Sequence, residues 1–326
     1  MAHKVALITG ITGQDGAYLA AELLPLGYTV YGLTRRRSDN SLARLNLLGI
    51  AEHKSLVLVD GDITDLGSIT RVLEDVKPTE VYNLAAQSFV GASWQQPLYT
   101  SLATGLGALN VFEAVRIKCP GARVYQASSS EMFGNSTSPM QNETTPFNPS
   151  SPYAVAKVFA HHMAVNYRRS FGMGISCGIL FNHESPLRGI EFVTRKITHT
   201  VAKIVHGQAD KLVLGNLDAK RDWGHARDYA HAMYLMVQHP LPEDYVIATG
   251  ITVSVGEFCQ LAFDCVGLNA SFYVESAAAL QRPADVGHLC GDATKAAQRL
   301  GWKPTTTLAQ LVEEMVKADL ELVRKQ

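Results

Sequence analysis

Two short stretches of the chain carry side chains that together can move protons. The first is a serine run that ends in an acid, Ser128-Ser129-Ser130-Glu131, and the second runs from Tyr153 to Lys157. On a helix, a tyrosine and a lysine four residues apart lie on the same face. The cation favours the phenolate, so the tyrosine can accept a proton from a substrate hydroxyl near neutral pH. Glu131 adds a second acid/base group, which indicates more than a simple redox step.

Strand-like segments precede these residues and must position them. Five such segments alternate with amphipathic stretches in the first part of the chain, at residues 4–9, 28–33, 56–59, 80–85 and 123–127. Strands that alternate with helices imply a parallel sheet with helices on both faces. We therefore predict an α/β fold, a Rossmann-like doubly wound parallel sheet with a smaller, mixed α/β substrate-binding lobe.

The second part of the chain has a less regular pattern. Residues 178–181, 228–238 and 245–248 show strand or helix patterns and are expected to return to the first sheet. The segments after Asn182 and after Ile251 would build the lobe over the edge of that sheet. The predicted nucleotide-binding domain comprises residues 1–181 and 222–250, and the predicted lobe comprises residues 182–221 and 251–326.

A glycine-rich turn follows the first strand and reads Gly10-Ile11-Thr12-Gly13-Gln14-Asp15-Gly16. Glycines at this spacing let the backbone approach a pyrophosphate, whose charge is favoured at a helix N-terminus. The pattern differs from the commonest dinucleotide fingerprint, G-x-G-x-x-G, and such a turn can also serve chain geometry alone. Its place between the first strand and the first helix favours nucleotide binding.

The second strand ends in a basic stretch, Thr34-Arg35-Arg36-Arg37-Ser38. An acid at this place would bind the ribose of NAD, whereas arginines suit the 2′-phosphate of NADP. We therefore expect NADP, and the alternative interpretation is a solvated basic turn. Further residues after the third and fourth strands are expected to flank the adenine and nicotinamide ends, namely Asp62, Ile63, Leu84, Ala86 and Ser88.

Composition argues against several kinds of partner and site. The 326 residues have a net charge of −1, which gives no support for a nucleic-acid or membrane-surface partner. No apolar run is long enough for a spanning helix, and Met1 leads into a strand-like segment rather than a signal peptide. The five cysteines show neither paired nor metal-like spacing, and His161-His162 has no acid or cysteine at ligand spacing. We expect reduced thiols, a cytoplasmic location and no metal site.

Five stretches that together span most of the chain resemble the GDP-mannose 4,6-dehydratases, within the extended short-chain dehydrogenase/reductase superfamily. They are residues 10–16, 82–90, 126–134, 181–189 and 220–224. The last two stretches, FNHESPLRG and KRDWG, are more specific than the glycine turn or the Tyr-x-x-x-Lys pair, which the whole superfamily shares. The resemblance implies a tightly bound NADP that is reduced and reoxidised within one turnover.

The same resemblance implies a role for each catalytic candidate. Tyr153 would deprotonate the C4 hydroxyl of the sugar as hydride leaves C4, and Lys157 would hold the phenolate and the nicotinamide ribose. Glu131 would then remove the C5 proton, and water would leave C6 with help from Glu131 and Ser129. Return of the hydride to C6 would give a 4-keto-6-deoxy sugar.

The resemblance also implies binding residues and an assembly. His183 and Arg188 match cofactor-contacting positions, and Arg35 lies in the stretch that meets the 2′-phosphate. Positions expected to hold the GDP-sugar are Ser88, Asn182, Val193, Lys196, Arg221 and Arg282. Arginine can donate two hydrogen bonds to a diphosphate, although a structural ion pair is the alternative at each position. The family's cofactor site is often completed by a neighbouring subunit through the loop after the second strand, here residues 35–44, so a homodimer or homotetramer is expected.

Three departures from the family pattern bear on the substrate. Ser129 stands where threonine is usual, and it keeps the hydroxyl group. Asn148 and Ser150 replace a more usual tyrosine and arginine just before Tyr153, and residues 282–287 have aspartate and glycine where glutamate and aspartate are typical. Smaller side chains at 148 and 150 would admit a longer sugar, so a GDP-linked manno-heptose is an alternative substrate to GDP-mannose.

Two other functions compete with dehydration. A nucleotide-sugar epimerase or 4-ketoreductase needs the tyrosine but no C5 base, so Glu131 favours the dehydratase. A catalytically silent NADP-binding regulator has no need for the full set of Ser129, Glu131, Tyr153 and Lys157. The sequence therefore predicts an enzyme, a GDP-sugar 4,6-dehydratase.

Overall fold

The computed structural model describes residues 4–36, 42–277, 280, 284 and 286–325. The strands in these ranges are β1 Val5–Thr9, β2 Thr29–Thr34, β3 Leu56–Asp60, β4 Glu80–Asn83, β5 Arg123–Ser129, β6 Ile175–Leu180, β7 Asn182–Glu184, β8 Leu212–Leu214, β9 Lys220–His225, β10 Asp244–Ile247, β11 Thr252–Ser254 and β12 Val274–Ser276. The helices are α1 Gln14–Leu23, α2 Ala43–Leu47, α3 Leu66–Val76, α4 Val90–Gln95, α5 Pro97–Thr100, α6 Gly107–Lys118, α7 Pro152–Phe171, α8 Val193–Val205, α9 Ala226–Gln238, α10 Val255–Asp264, α11 Thr294–Leu300 and α12 Leu308–Arg324.

Seven strands form one central sheet in the order β10-β6-β5-β4-β1-β2-β3. Every neighbouring pair in this sheet is parallel. The strand order reverses between β1 and β4, since β2 and β3 follow β1 towards one edge of the sheet and β5 and β6 follow β4 towards the other. Thr9 lies opposite Asn83 at this reversal. Open parallel sheets bind ligands beyond the carboxyl ends of their strands at such a reversal. The predicted doubly wound parallel sheet is confirmed.

Helices cover both faces of this sheet, as strands that are buried on both sides require. On one face, α1 and α9 share a core in which Leu19 and Met233 are buried. On the other face, α3, α6 and α7 contribute Ile69, Phe112 and Ala160 to a second core. The two cores hold the sheet rigid, so the carboxyl ends of β1, β4 and β5 keep fixed positions.

The remaining elements form a second, smaller group. β7 pairs with β9 in parallel and β11 pairs with β9 in antiparallel fashion, while β8 and β12 form a separate parallel pair. Helices α8, α10 and α12 enclose an apolar core of their own around Trp223, Phe258 and Leu311. β9 spans the predicted domain boundary at residue 222, and the division of the chain into two domains stays a prediction.

Several element bounds differ from the predicted ones. β6 begins at Ile175 rather than residue 178. The predicted start is too late because Ser176 and Cys177 interrupt the apolar run in the sequence, although the sheet buries both. The amphipathic pattern of residues 105–115 predicts a helix, and the structure has a π-helical segment, Ser101–Leu106, that leads into α6. Among the described residues, no helix has the length and apolar character needed to cross a membrane.

Candidate active site

A cavity of about 680 Å³ lies at the carboxyl ends of the central strands. It is lined by every predicted site residue that falls within the described ranges. These are Gly10, Thr12, Gly13, Gln14, Asp15, Gly16, Arg35, Asp62, Ile63, Leu84, Ala86, Ser88, Ser129, Glu131, Tyr153, Lys157, Asn182, His183, Arg188, Val193, Lys196 and Arg221. Arg282 lies outside the described residues. The topology thus brings side chains from distant parts of the sequence into one cleft.

The glycine turn packs closely against the start of α1. A Cβ atom on Gly16 would lie 2.4 Å from the carbonyl oxygen of Gly10, so a larger residue would force the turn away from the helix. Gly10 itself has a φ of +73°, which favours glycine. The turn therefore needs these glycines for its own geometry, and it also leaves the helix N-terminus open to an anion.

The serine run ends β5 and turns sharply into the cleft. Ser129 caps a 3₁₀ turn of residues 130–133, and its Oγ accepts a hydrogen bond of 3.2 Å from the backbone N–H of Glu131. Gly134 ends the turn with a φ of +51°, and the carbonyl oxygen of Asn148 lies 1.7 Å from where its Cβ would be. Only glycine fits there, so this turn fixes where the Glu131 carboxylate enters the cavity.

Tyr153 and Lys157 lie on the first turns of α7. Ser151 caps this helix by accepting a hydrogen bond from the N–H of Ala154, and Pro152 occupies its first position. The Lys157 Nζ atom donates to the carbonyl oxygen of Ala127 at 2.8 Å and lies 5.8 Å from the centre of the Tyr153 ring. The lysine is thereby tied to the strand that carries the serine run.

Burial dominates the ionisation of both groups. It raises the pKa of Tyr153 to about 12, against the opposing effect of the Ser129 hydroxyl. It also lowers the pKa of Lys157 to about 8, against the opposing charge of Asp15. Burial outweighs the hydroxyl of Ser129 and the charge of Arg188, which both favour the phenolate, and the expectation that Lys157 favours it stays a prediction.

Arg35, at the end of β2, marks the opposite end of the cavity. One of its Nη atoms donates to the hydroxyl of Tyr99 at 2.7 Å. A second cavity of about 520 Å³ opens beside it, and Arg36 and Arg71 line that cavity together with Arg35 and Asp62. The sequence analysis missed Tyr99 and Arg71, because nothing near them in the sequence indicates that the fold brings them beside Arg35.

Arg188 is held by charge and by an aromatic ring. Its Nε atom lies 3.0 Å from a carboxylate oxygen of Glu184, and its guanidinium lies 3.6 Å from the centre of the Phe192 ring. Thr194 donates to the same Glu184 oxygen at 2.6 Å. These contacts fix the orientation of Arg188 at the wall of the cavity.

A buried ion pair supports the loop that carries Arg188. Arg195 on α8 donates from Nε to both carboxylate oxygens of Asp319 on α12, each at 2.8 Å. One Nη atom of Arg195 donates to the carbonyl oxygens of Pro186 and Arg188, the latter at 3.0 Å. The fully buried Asp319 thus orients Arg195, and Arg195 anchors the loop.

The loop after β2 also contacts the rest of this chain. Arg44 donates from Nε to the carbonyl oxygen of Leu187 at 2.6 Å and from Nη1 to that of Thr12 at 3.0 Å. It therefore links the glycine turn to the loop that carries Arg188. Residues 37–41 lie outside the described ranges, so the predicted contact of this loop with a neighbouring subunit stays a prediction.

The residues expected to hold the GDP-sugar form the other part of the lining. Lys196 donates to the carbonyl oxygen of Val213 at 2.7 Å, and Arg221 donates to that of Lys220 at 2.9 Å. The Oδ1 atom of Asn182 is buried and accepts no hydrogen bond from the described residues. A buried acceptor of this kind is usually satisfied, which indicates that a ligand with a donor group fits here.

The two substitutions just before Tyr153 lie away from the cavity. Neither Asn148 nor Ser150 is among the residues that line it. Asn148 packs its carbonyl oxygen against Gly134, and the Ser150 hydroxyl lies 3.4 Å from that same oxygen. The geometry therefore gives no support to the argument that small side chains at these positions enlarge the sugar pocket.

One cluster of potential metal ligands was not anticipated from the sequence. His161, Cys177 and Asp244 each offer a ligand atom, and these atoms lie within 4.8 Å of one another. Arg168, however, donates to both oxygens of Asp244 at 2.9 Å, and His161 Nδ1 lies 2.9 Å from the Ser128 hydroxyl. No acid or cysteine lies at ligand spacing from His161 in the sequence, but strands β6 and β10 bring one of each to it in the fold. The Arg168 guanidinium already pairs with the Asp244 carboxylate.

Solved structures of nucleotide-sugar enzymes share this fold. The dTDP-glucose 4,6-dehydratase DesIV from Streptomyces venezuelae superposes with a TM-score of 0.87 over 97% of both chains, at 24% identity. The UDP-glucose 4-epimerase from Thermotoga maritima gives a TM-score of 0.86 over 98% of this chain and 99% of its own, at 21% identity. At these identities the likeness defines the class of fold alone, a Rossmann-like α/β fold.

Sequence relatives narrow this class to one family. The family model described as GDP-mannose 4,6 dehydratase matches residues 7–315. GDP-mannose 4,6 dehydratase 1 of Arabidopsis thaliana is 50% identical over 99% of this chain and 92% of its own length. The human GDP-mannose 4,6 dehydratase is 46% identical over 99% of this chain and 93% of its own. The chain therefore belongs to the GDP-mannose 4,6-dehydratase family, and it is an enzyme of the dehydratase type.

Proposed function

We propose that this enzyme converts GDP-mannose to its 4-keto-6-deoxy product by internal hydride transfer to and from NADP. One observation carries the proposal. Glu131 lines the same cavity as Ser129, Tyr153 and Lys157, and that cavity continues to the glycine turn. Dehydration needs two acid/base groups on one sugar, and Tyr153 with Glu131 supplies them. The names of the curated relatives support GDP-mannose as the substrate.

Bound NADP would supply the acceptor for a hydride from C4 and the donor that returns it to C6. The residues of the chain would move the protons. Tyr153 would take the C4 hydroxyl proton, which forms the 4-keto group and makes the C5 proton acidic. Glu131 would remove that proton and pass it to the C6 hydroxyl as water leaves, with a hydrogen bond from Ser129. Once the hydride has returned to C6, C5 would take up the proton that Tyr153 holds.

The two proton-transferring groups lie in different environments. Burial raises the pKa of Tyr153 to about 12, so the phenolate forms only when a cation or a bound ligand stabilises it. Glu131 lies on the partly exposed turn that follows the serine run. Two groups with different environments can therefore act in succession on one sugar.

The choice of NADP over NAD is supported by charge at the end of β2. Arg35, Arg36 and Arg71 surround the second cavity, and Tyr99 orients Arg35. Planar guanidinium groups bind a phosphate with paired hydrogen bonds. The glycine turn would hold the diphosphate, and Lys157, His183 and Arg188 line the part of the cavity where the nicotinamide half would lie.

A panel of GDP-sugars with product mass spectrometry tests the proposal. GDP-mannose should lose one water with no net change in NADP, because the hydride taken from C4 is returned to C6 of the same sugar. Product with the mass of the substrate would contradict dehydration and favour an epimerase. Turnover of a GDP-manno-heptose with GDP-mannose ignored would favour the heptose alternative, for which the cavity lining gives no support.

We also propose that the enzyme assembles as a homodimer or homotetramer in the cytoplasm. Large apolar side chains are exposed on two adjacent helical segments, namely Leu98, Leu102, Leu106, Val155 and Phe159. The Phe159 ring lies 3.3 Å from the Cβ position of Gly105, so the two segments touch and the apolar side chains form one surface. Light scattering on Leu102→Glu should show dissociation, and an unchanged mass would contradict this interface. Cell fractionation checks the location.

A further inference from the structure

An acid stands in the turn that is expected to hold a diphosphate. Asp15 lies in the first turn of α1 and lines the main cavity beside Gly13 and Gly16. The N-terminus of a helix attracts negative charge, so a free carboxylate there would compete with a bound diphosphate and repel it. Either the acid opposes binding or another group neutralises it.

His183 is placed to neutralise this acid. Its Nε2 atom lies 2.9 Å from the Oδ2 atom of Asp15, and its Nδ1 atom lies 2.7 Å from the carbonyl oxygen of Phe181. A carbonyl oxygen and an ionised carboxylate can only accept hydrogen bonds, so both ring nitrogens must donate. An imidazole that donates from both nitrogens is an imidazolium cation.

The pKa values of the two side chains agree with a charged pair. Burial opposes the charge on each partner, but the attraction between them outweighs burial. The pKa of Asp15 falls to about 2 through its contact with His183, and Asp15 raises the pKa of His183. Arg188 is the other cation that acts on both groups, and it lowers the pKa of each.

Surrounding residues hold the pair in one geometry. The imidazole stacks on the Tyr229 ring with 4.6 Å between ring centres. Gln14 donates from Nε2 to the Oδ1 atom of Asp15 and to the carbonyl oxygen of His183, each at 3.1 Å. Ser185 in turn donates to Gln14 Oε1 at 2.7 Å. Every hydrogen-bonding group of the imidazole is therefore used within the protein.

We propose that His183 is a positioning residue whose positive charge cancels that of Asp15, so that the glycine turn accepts the diphosphate of the dinucleotide. The inference rests on the proposed function, because it takes the diphosphate of NADP as the group that the turn holds. The His183 side chain acts through Asp15 rather than by a hydrogen bond to the cofactor, since both ring N–H groups already have acceptors. Removing the histidine alone leaves the Asp15 anion without its hydrogen-bonded cation, whereas removing both charges leaves a neutral pair.

Three variants separate this role from a direct contact. We expect His183→Gln to bind NADPH about 10- to 100-fold more weakly, since the unneutralised carboxylate of Asp15 then repels the diphosphate. Asp15→Asn should lose much less affinity than His183→Gln, and Asp15→Asn/His183→Gln should regain most of the affinity that His183→Gln loses. Titration of NADPH fluorescence measures each dissociation constant, and thermal unfolding shows whether each variant is folded.

A matched control comes from a second histidine that pairs with a carboxylate of α1. His231 on α9 lies 2.9 Å from Glu22, outside the cavity. His231→Gln removes this more exposed histidine–carboxylate pair and should leave NADPH affinity unchanged. Added salt should narrow the difference between His183→Gln and the unchanged protein, because screening weakens repulsion between charges.

Each outcome decides for or against the inference. Equal weakness of the single His183→Gln and the double variant would show a direct or purely structural role and overturn it, as would full affinity in His183→Gln. If a variant fails to fold, ¹⁵N NMR of histidine in the unchanged protein decides instead, since a neutral His183 at pH 7 contradicts the cation. Unchanged protein that binds no dinucleotide at all would overturn the proposed function together with this inference.

Discussion

Lys157 is a buried cation, and its cost to stability can be measured. Only 5% of the residue is exposed, and burial lowers its pKa from 10.5 to about 8. The unfolded chain holds this proton up to about pH 10.5, whereas the folded protein releases it near pH 8. Between these values the unfolded state binds more protons, so the folded state gains stability as the pH rises.

The size of the effect follows from the two pKa values. At pH 7 the burial of the charged lysine lowers the free energy of unfolding by about 3 kcal/mol, compared with a lysine whose pKa is the same in the folded and unfolded states. At pH 10 it lowers that free energy by about 1 kcal/mol. Lys157→Met removes this cost but also removes the hydrogen bond to Ala127, whose loss costs about 1–3 kcal/mol. We expect the variant to be as stable as the unchanged protein at pH 7, or up to about 2 kcal/mol more stable. The stability of Lys157→Met relative to the unchanged protein should be about 2.5 kcal/mol lower at pH 10 than at pH 7.

Urea unfolding followed by tryptophan fluorescence at pH 7 and pH 10 measures the difference. Lys54→Met, which removes an exposed lysine, serves as the control and should show the same stability difference at both pH values. If the stability difference between Lys157→Met and the unchanged protein changes by less than about 0.5 kcal/mol from pH 7 to pH 10, the reasoning is refuted, since linkage requires that difference to change. Activity does not enter this test, so it stands apart from the proposed reaction.

Three further predictions concern the site and its support. Glu131→Gln should lower formation of the 4-keto-6-deoxy product by about 10²- to 10⁴-fold while NADP stays bound, and full activity would contradict its role as the C5 base. Arg35→Ala should weaken NADPH binding by about tenfold or more and leave NADH binding almost unchanged, and equal losses for both would argue against a 2′-phosphate contact. Asp319→Ala should destabilise the protein by about 3–5 kcal/mol in urea, because Arg195 then stays buried without its partner, and a loss below about 1 kcal/mol would contradict the ion pair.

The sequence predicts the central sheet well because its strands are short apolar runs separated by amphipathic helices. The β6 start was missed, since Ser176 and Cys177 carry no strand signal although the sheet buries both. The predicted site residues in the described ranges line one cavity for a related reason. Motifs at the ends of parallel strands meet at one edge of the sheet wherever the strands alternate with helices.

Contacts between distant residues could not be predicted from spacing. Tyr99 beside Arg35, His183 beside Asp15 and Asp244 beside His161 depend on how far each strand and helix extends in three dimensions. The pKa of Tyr153 likewise depends on the folded chain. Sequence spacing places a lysine near the phenol, but the extent of burial decides the pKa, and burial belongs to the folded chain.

The Asp319–Arg195 contact has a consequence for biosynthesis. The two residues are 124 positions apart in the sequence. Asp319 orients the Arg195 guanidinium, which donates a hydrogen bond to the carbonyl oxygen of Arg188. Until the ribosome has added α12, the nascent polypeptide therefore lacks the Asp319–Arg195 ion pair that supports this segment of the cleft. Ligand affinity should accordingly appear late in translation, in one step, rather than rising gradually as each strand joins the sheet.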